Sequence, residues 1–258
     1  MKKKVLYEHP LNERIRILLR LEYLFEHIMY RIKGPSEWDS RAVINSIIEI
    51  LDLTSRIDFK AELIKDLEYH TQILEQWQSL PDVDTERLNK LINKTGILID
   101  RLNEVGEVIG EKILQHKLIN IIKQRRNIAG GTSSSDLPAY YHWLQKYPKR
   151  RQDDLAHWLE PFEPLRDAID LNLYLIRSNA ITTPEIATGG FFQSKLDSPT
   201  NTNYHIIQVL MPIVHACYPE ISGGKQRFTI RFFETNTVEE RPLQTQQDIN
   251  FELRCCMV

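Results

Sequence analysis

Arg227-Phe228-Thr229-Ile230-Arg231-Phe232-Phe233-Glu234 alternates apolar and polar side chains along most of its length. Successive side chains of a strand point to opposite faces, so Phe228, Ile230 and Phe232 share one face and Arg227, Thr229 and Arg231 the other. The last run repeats the pattern, with Ile249, Phe251, Leu253 and Cys255 against Asn250, Glu252 and Arg254. Tyr204 to Met211 is a β-branched and aromatic run, and the chain around Gly189-Gly190-Phe191-Phe192 is aromatic and turn-rich. These segments follow one another without long helical crossovers, which predicts a mainly antiparallel sheet. Val5-Leu6-Tyr7-Glu8 is strand-like too, and is a candidate to add to that sheet across the domain boundary.

Between Asn12 and about Asn179 the rhythm is helical. Leu18, Leu21, Phe25, Ile28 and Ile32 recur at steps of three and four, with a second stripe through Ile17, Leu24 and Met29. That helix should stop at Gly34-Pro35, and the next should open at Asp39 or Ser40 as N-cap. Asp58 opens a seam of Leu63, Leu67, His70, Leu74 and Trp77, and another runs Leu88, Leu91, Thr95, Leu98, Leu102, Val105, Ile109. With the short connector from Leu80 to Asp84, the two seams suggest an antiparallel hairpin; an intermolecular coiled coil is the alternative. Breaks are expected near Gly96, Gly106 and Gly110, and a firm stop at Gly130-Gly131. Ser135-Asp136-Leu137-Pro138 then reads as a cap followed by a first-turn proline, and two further helices divide at Glu160-Pro161-Phe162-Glu163-Pro164. The expected class is therefore α+β, a mainly helical domain over 1–179 followed by a smaller, mainly antiparallel β domain over 180–258.

At 258 residues with 42% hydrophobic and 26% charged side chains, the chain can bury a real core and is neither collagen-like nor wholly disordered. No apolar run nears the roughly 18 residues that cross a bilayer. Met1-Lys2-Lys3-Lys4 carries the charge of a signal peptide, but Glu8, His9, Asn12, Glu13 and Arg14 interrupt its apolar core, so a cytoplasmic location is expected. Three cysteines, Cys217, Cys255 and Cys256, fit a reducing compartment better than a disulfide framework. The net charge of -2 hides a segregation: residues 1–35 sum to +4, 36–110 to -7, 111–151 to +7 and the rest to -6. The positive blocks hold Arg14, Arg16, Arg20, Arg31 and Lys33, then Lys112, Lys117, Lys123, Arg125, Arg126, Lys146, Lys149, Arg150 and Arg151. If they fold together they form a cationic surface; two separate solvated helix faces are the alternative.

Catalytic motifs are absent. Ser222-Gly223-Gly224-Lys225 fails as a phosphate-binding loop because Pro219 and Gln226 stand where glycine and a hydroxyl residue belong. The eight histidines are scattered and form no zinc spacing, so neither metal nor cofactor is expected. Gly130-Gly131-Thr132-Ser133-Ser134-Ser135 reads as a loop between helices rather than an anion cradle. Basic blocks beside Tyr140, Tyr141, Trp143 and Trp158 leave nucleic-acid binding open as an alternative function, although the sequence pI is 6.5. A protein ligand with acidic and apolar residues suits the same side chains.

One family matches these residues in order. Val5-Leu6-Tyr7-Glu8-His9-Pro10-Leu11-Asn12-Glu13 with Arg16 and Leu19-Arg20-Leu21-Glu22 resembles the start of the ZapD family, cytoplasmic cell-division proteins that bind the tubulin-like GTPase FtsZ. Gly130-Gly131 with Asp136-Leu137-Pro138, then Tyr218-Pro219-Glu220-Ile221-Ser222-Gly223 running through Lys225 into Arg227 to Phe232, and Phe251-Glu252-Leu253 before Cys255-Cys256, continue the likeness. The resemblance implies a helical domain with a smaller β domain, a homodimer at the division site, and a positively charged pocket for the FtsZ C-terminal tail. It also implies bundling of FtsZ filaments with no catalytic step, no cofactor and no membrane insertion. Carried over by position, the tail-binding residues are Arg20, Lys117, Arg125, Arg227 and Arg231. Arg56 falls on a family arginine but also reads as an exposed helix-end charge. Two departures stand out: a family histidine aligns with Tyr141, with His142 one place later, and Ser135 replaces the usual phenylalanine. One residue turns a helical side chain by about 100 degrees, so the resemblance leaves Tyr141 and His142 as alternatives.

Overall fold

The computed structural model describes residues 4–55, 59–78, 84–106, 108–196, 203–213, 217–234 and 241–257. Apart from one N-terminal strand, helices precede the strands of two antiparallel sheets, an α+β arrangement. Two compact units emerge: Arg20–Asn172, and Met1–Leu19 together with Leu173–Val258.

The helical unit follows the apolar spacing. Helix α1 (Glu13–Arg31) begins in the other unit and continues into this one. It buries Ile15, Ile17, Leu18, Leu21, Leu24, Phe25 and Ile28, so its two stripes are both covered; Met29, which belongs to the second by spacing, is 43% exposed. Helix α2 (Glu37–Thr54) begins earlier than the sequence suggests. Ser36 Oγ accepts from the Asp39 amide at 3.0 Å while Asp39 Oδ2 accepts from the Ser36 amide at 3.2 Å. That reciprocal capping box makes Ser36 the cap and Asp39 its third helical residue. Val43, Ile44, Ile47, Ile48 and Ile50 of α2 are fully buried and form the centre of this unit.

Helices α3 (Phe59–Trp77) and α4 (Thr85–Glu104) pack along one another as the hairpin the seams suggest, burying Leu63, Leu67 and Leu74 against Leu88, Thr95, Leu98 and Leu102. Asp58 and most of the expected connector lie outside the described residues. Helix α4 runs through Gly96, and the break comes at its end, before the short helix α5 (Glu111–Leu114). At the break Gly110 takes φ +75°, and a Cβ there would stand 2.7 Å from both Leu51 and Phe162, so the backbone and the packing both require glycine. Helices α6 (Lys117–Arg125), α7 (Pro138–Leu144) and α8 (Pro148–Leu159) follow, then a 3₁₀ turn (Glu160–Phe162) that leads directly into α9 (Glu163–Ser178). Pro138 starts α7 as expected, but the cap position is Leu137, without a side-chain cap. Ser133, Ser135 and Asp136 hydrogen-bond among themselves instead.

The other unit is built on two sheets. One is ordered β1 (Lys4–Pro10), β4 (Tyr204–Pro212), β8 (Ile249–Met257), β2 (Ala180–Ala187); the other β3 (Phe191–Lys195), β6 (Arg227–Glu234), β5 (Cys217–Gly223), with β7 (Leu243–Gln244) also on β6. Every pair is antiparallel. The N-terminal strand enters the C-terminal sheet, with Tyr7 opposite Val209 and Pro10 opposite Ile206. Val209, Phe251 and Leu253 of one sheet and Phe228, Ile230 and Phe232 of the other belong to one core. Phe251 meets Phe192 and Phe232 at 5.4 Å between ring centroids. Pro184 and Glu185 on edge strand β2 oppose further strand pairing there. On the far side of the first sheet, Glu8 accepts from Arg177 of α9 at 3.0 and 2.8 Å and from Gln208 at 2.6 Å.

Candidate partner-binding site

Within the helical unit, Lys117, Arg125, Tyr141 and His142 lie on α6 and α7, which pack together, while Arg20 lies on α1. Helix α7 has seven residues and no side-chain cap, too little to hold itself in place. Its inward face fixes it: Tyr140, Trp143 and Leu144 are buried. The rings form a continuous series. His116 lies 4.9 Å from Trp158, Trp158 5.4 Å from Trp143, and Trp143 6.1 Å from Tyr140. The Arg41 guanidinium then sits 4.9 Å from Tyr140 and 5.2 Å from the exposed Trp38. Aromatic pairs of this kind contribute about 0.5–1.5 kcal/mol each beyond burial. Trp143 Nε1 donates to Asp154 at 2.8 Å, and Lys146 to the same oxygen at 2.9 Å. Burial works to raise the Asp154 pKa, but those two donors, together with the charges of Lys146 and Arg150, hold the carboxyl below its ordinary value.

Tyr141 and His142 stand on the opposite, exposed side of α7. The stack therefore sets both outward-facing alternatives in one place. Lys117, the exposed first residue of α6, follows His116, so the same series of rings ties its backbone to α7. Arg125 is exposed at the other end of α6 and lies 3.9 Å from Asp136. Eight residues of helix separate Lys117 from Arg125 by about 12 Å. The double glycine has a packing reason: a Cβ on Gly131 would come 2.6 Å from the Arg125 carbonyl oxygen and 2.8 Å from Ile128. Arg20 is exposed on α1. Arg56 lies outside the described residues.

The second basic block is not one free cationic surface. Lys123 and Arg126 both pair with Asp52 of α2, and Lys146 and Lys149 pair with Asp154 and Asp153. Arg151 is 5% exposed and gives its protons to Ser40 Oγ and to the carbonyls of Leu144, Lys146 and Pro35. Counting charge along the chain could not find this, since Asp52 and Ser40 come from the acidic segment before the block.

In the sheet unit, Arg227 and Arg231 stand exposed on the outer face of β6, as the alternation predicts. Register supplies neighbours that the sequence alone does not: Lys195 lies opposite Arg227, and Phe191 and Glu220 flank Arg231 from β3 and β5. With Lys225 in the β5–β6 turn, Arg227, Arg231 and Phe191 line an open groove of 650 Å³ that also includes Gln193, Ser222 and Thr229. Ser222 Oγ and Thr229 Oγ1 lie 2.9 Å apart across its floor. Three cations line the groove with the exposed Phe191 among them, and strand register sets Lys195 opposite Arg227 and Glu220 opposite Arg231. Such a face takes an extended acidic segment carrying apolar side chains. Lys195 and Phe191 were not among the site residues expected from sequence because hairpin register was needed to place them. Among the described residues, no group of three or more His, Cys, Asp and Glu converges as for a metal ion.

Comparison with known proteins agrees with the motif series. The profile of the family described as ZapD, cell division protein, matches residues 19–231. A cell division protein ZapD from Methylococcus capsulatus is 37% identical over the whole of both chains. One from Chromobacterium violaceum is 34% identical over 97% of this chain and 98% of its own, and one from Aromatoleum aromaticum 32% identical over 97% and 96%.

Proposed function

The chain belongs to the ZapD family of cell division proteins, and from that premise we propose that it serves division by binding the C-terminal tail of FtsZ and cross-linking FtsZ filaments. The observation that carries this reading is the groove on the outer face of β6, lined by Lys225, Arg227 and Arg231 together with Phe191, with Lys195 opposite Arg227 on the adjoining strand. Arginine forks orient and attract a carboxylate-bearing peptide, while apolar contacts supply most of the lasting affinity. Exposed charge pairs contribute only about 0.2–1 kcal/mol each, so a single site binds modestly and loosens as salt rises. Tyr141, His142, Lys117, Arg125 and Arg20 are the further residues proposed to meet the tail.

Cross-linking needs two sites on one particle, and a homodimer provides them. A filament displays many tails, so two weak sites acting together bind far more tightly than either alone. No chemical step is involved, and the protein acts in the cytoplasm at the division site. No helix among the described residues is long and apolar enough to cross a membrane. The test is sedimentation of GTP-assembled FtsZ with the purified protein: bundles form with intact FtsZ and vanish when its tail is deleted. Undiminished bundling of tailless FtsZ would refute the proposed mode.

A further inference from the structure

The helical unit carries a second surface of opposite character. A groove of 160 Å³ opens between α1, α8 and α9, lined by Phe25, Ile28, Leu159 and Phe162 and edged by Met29 and Arg166. A void of roughly 150 Å³ holds a benzene ring, so there is room for one large apolar side chain. Met29 is 43% exposed at its rim, an unbranched thioether that reshapes readily around an occupant.

The neighbouring surface is acidic. Asp170 of α9 lies within electrostatic reach of Glu22 and Glu26 of α1 and of Asp167, with Arg166 as the opposing charge. Although Asp170 keeps an exposed edge, burial of its carboxyl first and those carboxylates next raise its pKa against the pull of Arg166. Arg166 shows which kind of group this rim accepts. Its Nη2 donates to Asp167 at 3.1 Å while its Nη1 lies 3.7 Å from the Met29 sulfur, and a thioether is a weak acceptor. An incoming cation with an apolar neighbour can displace that contact at little cost.

We propose that this groove docks a basic amphipathic segment of a partner protein, one large apolar side chain filling the void and a lysine or arginine about one helical turn away lying against Glu26 and Asp170. The charge requirement is the reverse of that at the β6 face, so the two surfaces select different partners. An acidic tail is repelled here. The inference does not depend on FtsZ binding, and either can fail alone.

The test is fluorescence anisotropy of the full-length protein with labelled amphipathic peptides, each with one aromatic or aliphatic face flanked by lysines. The expected result is saturable binding that weakens about tenfold in a Glu26→Gln/Asp170→Asn variant and in Met29→Lys, tightens in Arg166→Ala, and is unchanged in Arg231→Glu. Replacing the peptide's lysines by serines, which suits neither charged face, should abolish it. The Glu26→Gln/Asp170→Asn pair removes surface charge without touching the core, so it separates lost binding from lost folding. No saturable binding by any peptide, equal binding by all variants, or loss in Arg231→Glu would overturn the proposal. Self-association of the protein that Met29→Lys abolishes would also overturn it, since a second copy would then cover the groove.

Discussion

Arg151 donates from Nη2 to the carbonyl oxygen of Pro35 at 2.6 Å, fastening the start of α8 to the turn between α1 and α2. Its remaining bonds reach Ser40 and the carbonyls at the end of α7, so a buried guanidinium is held by neutral acceptors. Those carbonyls carry the partial negative charge of a helix C-terminus.

Replacing Arg151 strands several buried acceptors at once. Arg151→Met is expected to lower unfolding stability by about 3 kcal/mol, and Arg151→Lys to recover little, because an ammonium cannot reproduce the fork. Urea denaturation followed by circular dichroism measures both, and a loss under about 1 kcal/mol would show that water takes over the acceptors.

The rings behind α7 are structural while its outer side chains are not. Trp158→Ala should cost about 3–5 kcal/mol, whereas His142→Ala, on the exposed side, should leave stability within about 0.5 kcal/mol. Thermal melts of the two variants decide it, and comparable losses would place His142 in the packing.

Gly131 sets the approach of the loop to the end of α6. A Cβ there meets backbone at 2.6 Å, so Gly131→Ala should lower stability by about 1–3 kcal/mol and shift the Arg125 amide resonance. Gly130→Ala brings no steric contact but strains a residue at φ +70°, and is expected to cost about 1 kcal/mol.

The cysteines are predicted to be quiet. Burial pushes the Cys255 thiol up to about 11 and Cys256 up to about 12, and Cys217 is raised as well. Thiolate is the reactive form, so at pH 8 the folded protein should react slowly with a disulfide reagent and the unfolded protein at all three thiols. Because the native state favours the protonated thiol, its contribution is complete below the ordinary value of 9.0 and is lost as pH climbs toward 11 and 12. Rapid labelling of the native protein at pH 8 would contradict this.

The long periodic elements were legible in the sequence because each is decided by its own spacing: α1, the α3–α4 pair, β6 and β8. The α2 cap was misplaced by three or four residues because Asp39 serves Ser36 rather than starting the helix. The site was legible only by residue type. Alternation put Arg227 and Arg231 on one face, but the placement of Lys195 and Phe191 beside them depended on hairpin register. Charge counting overestimated the second basic block, because the partners that neutralise Lys123 and Arg126 come from Asp52, a distant segment.

Calorimetric titration of the purified protein with a peptide of the FtsZ C-terminal tail tests the central claim most directly, in the wild type and in Lys117→Glu and Arg227→Glu/Arg231→Glu variants. The expected result is saturable binding that weakens with salt, falls about fivefold or more in each variant through lost and reversed charge pairs, and comes with unchanged melting temperatures. Binding that is absent in the wild type, or that the charge reversals leave intact, would contradict it.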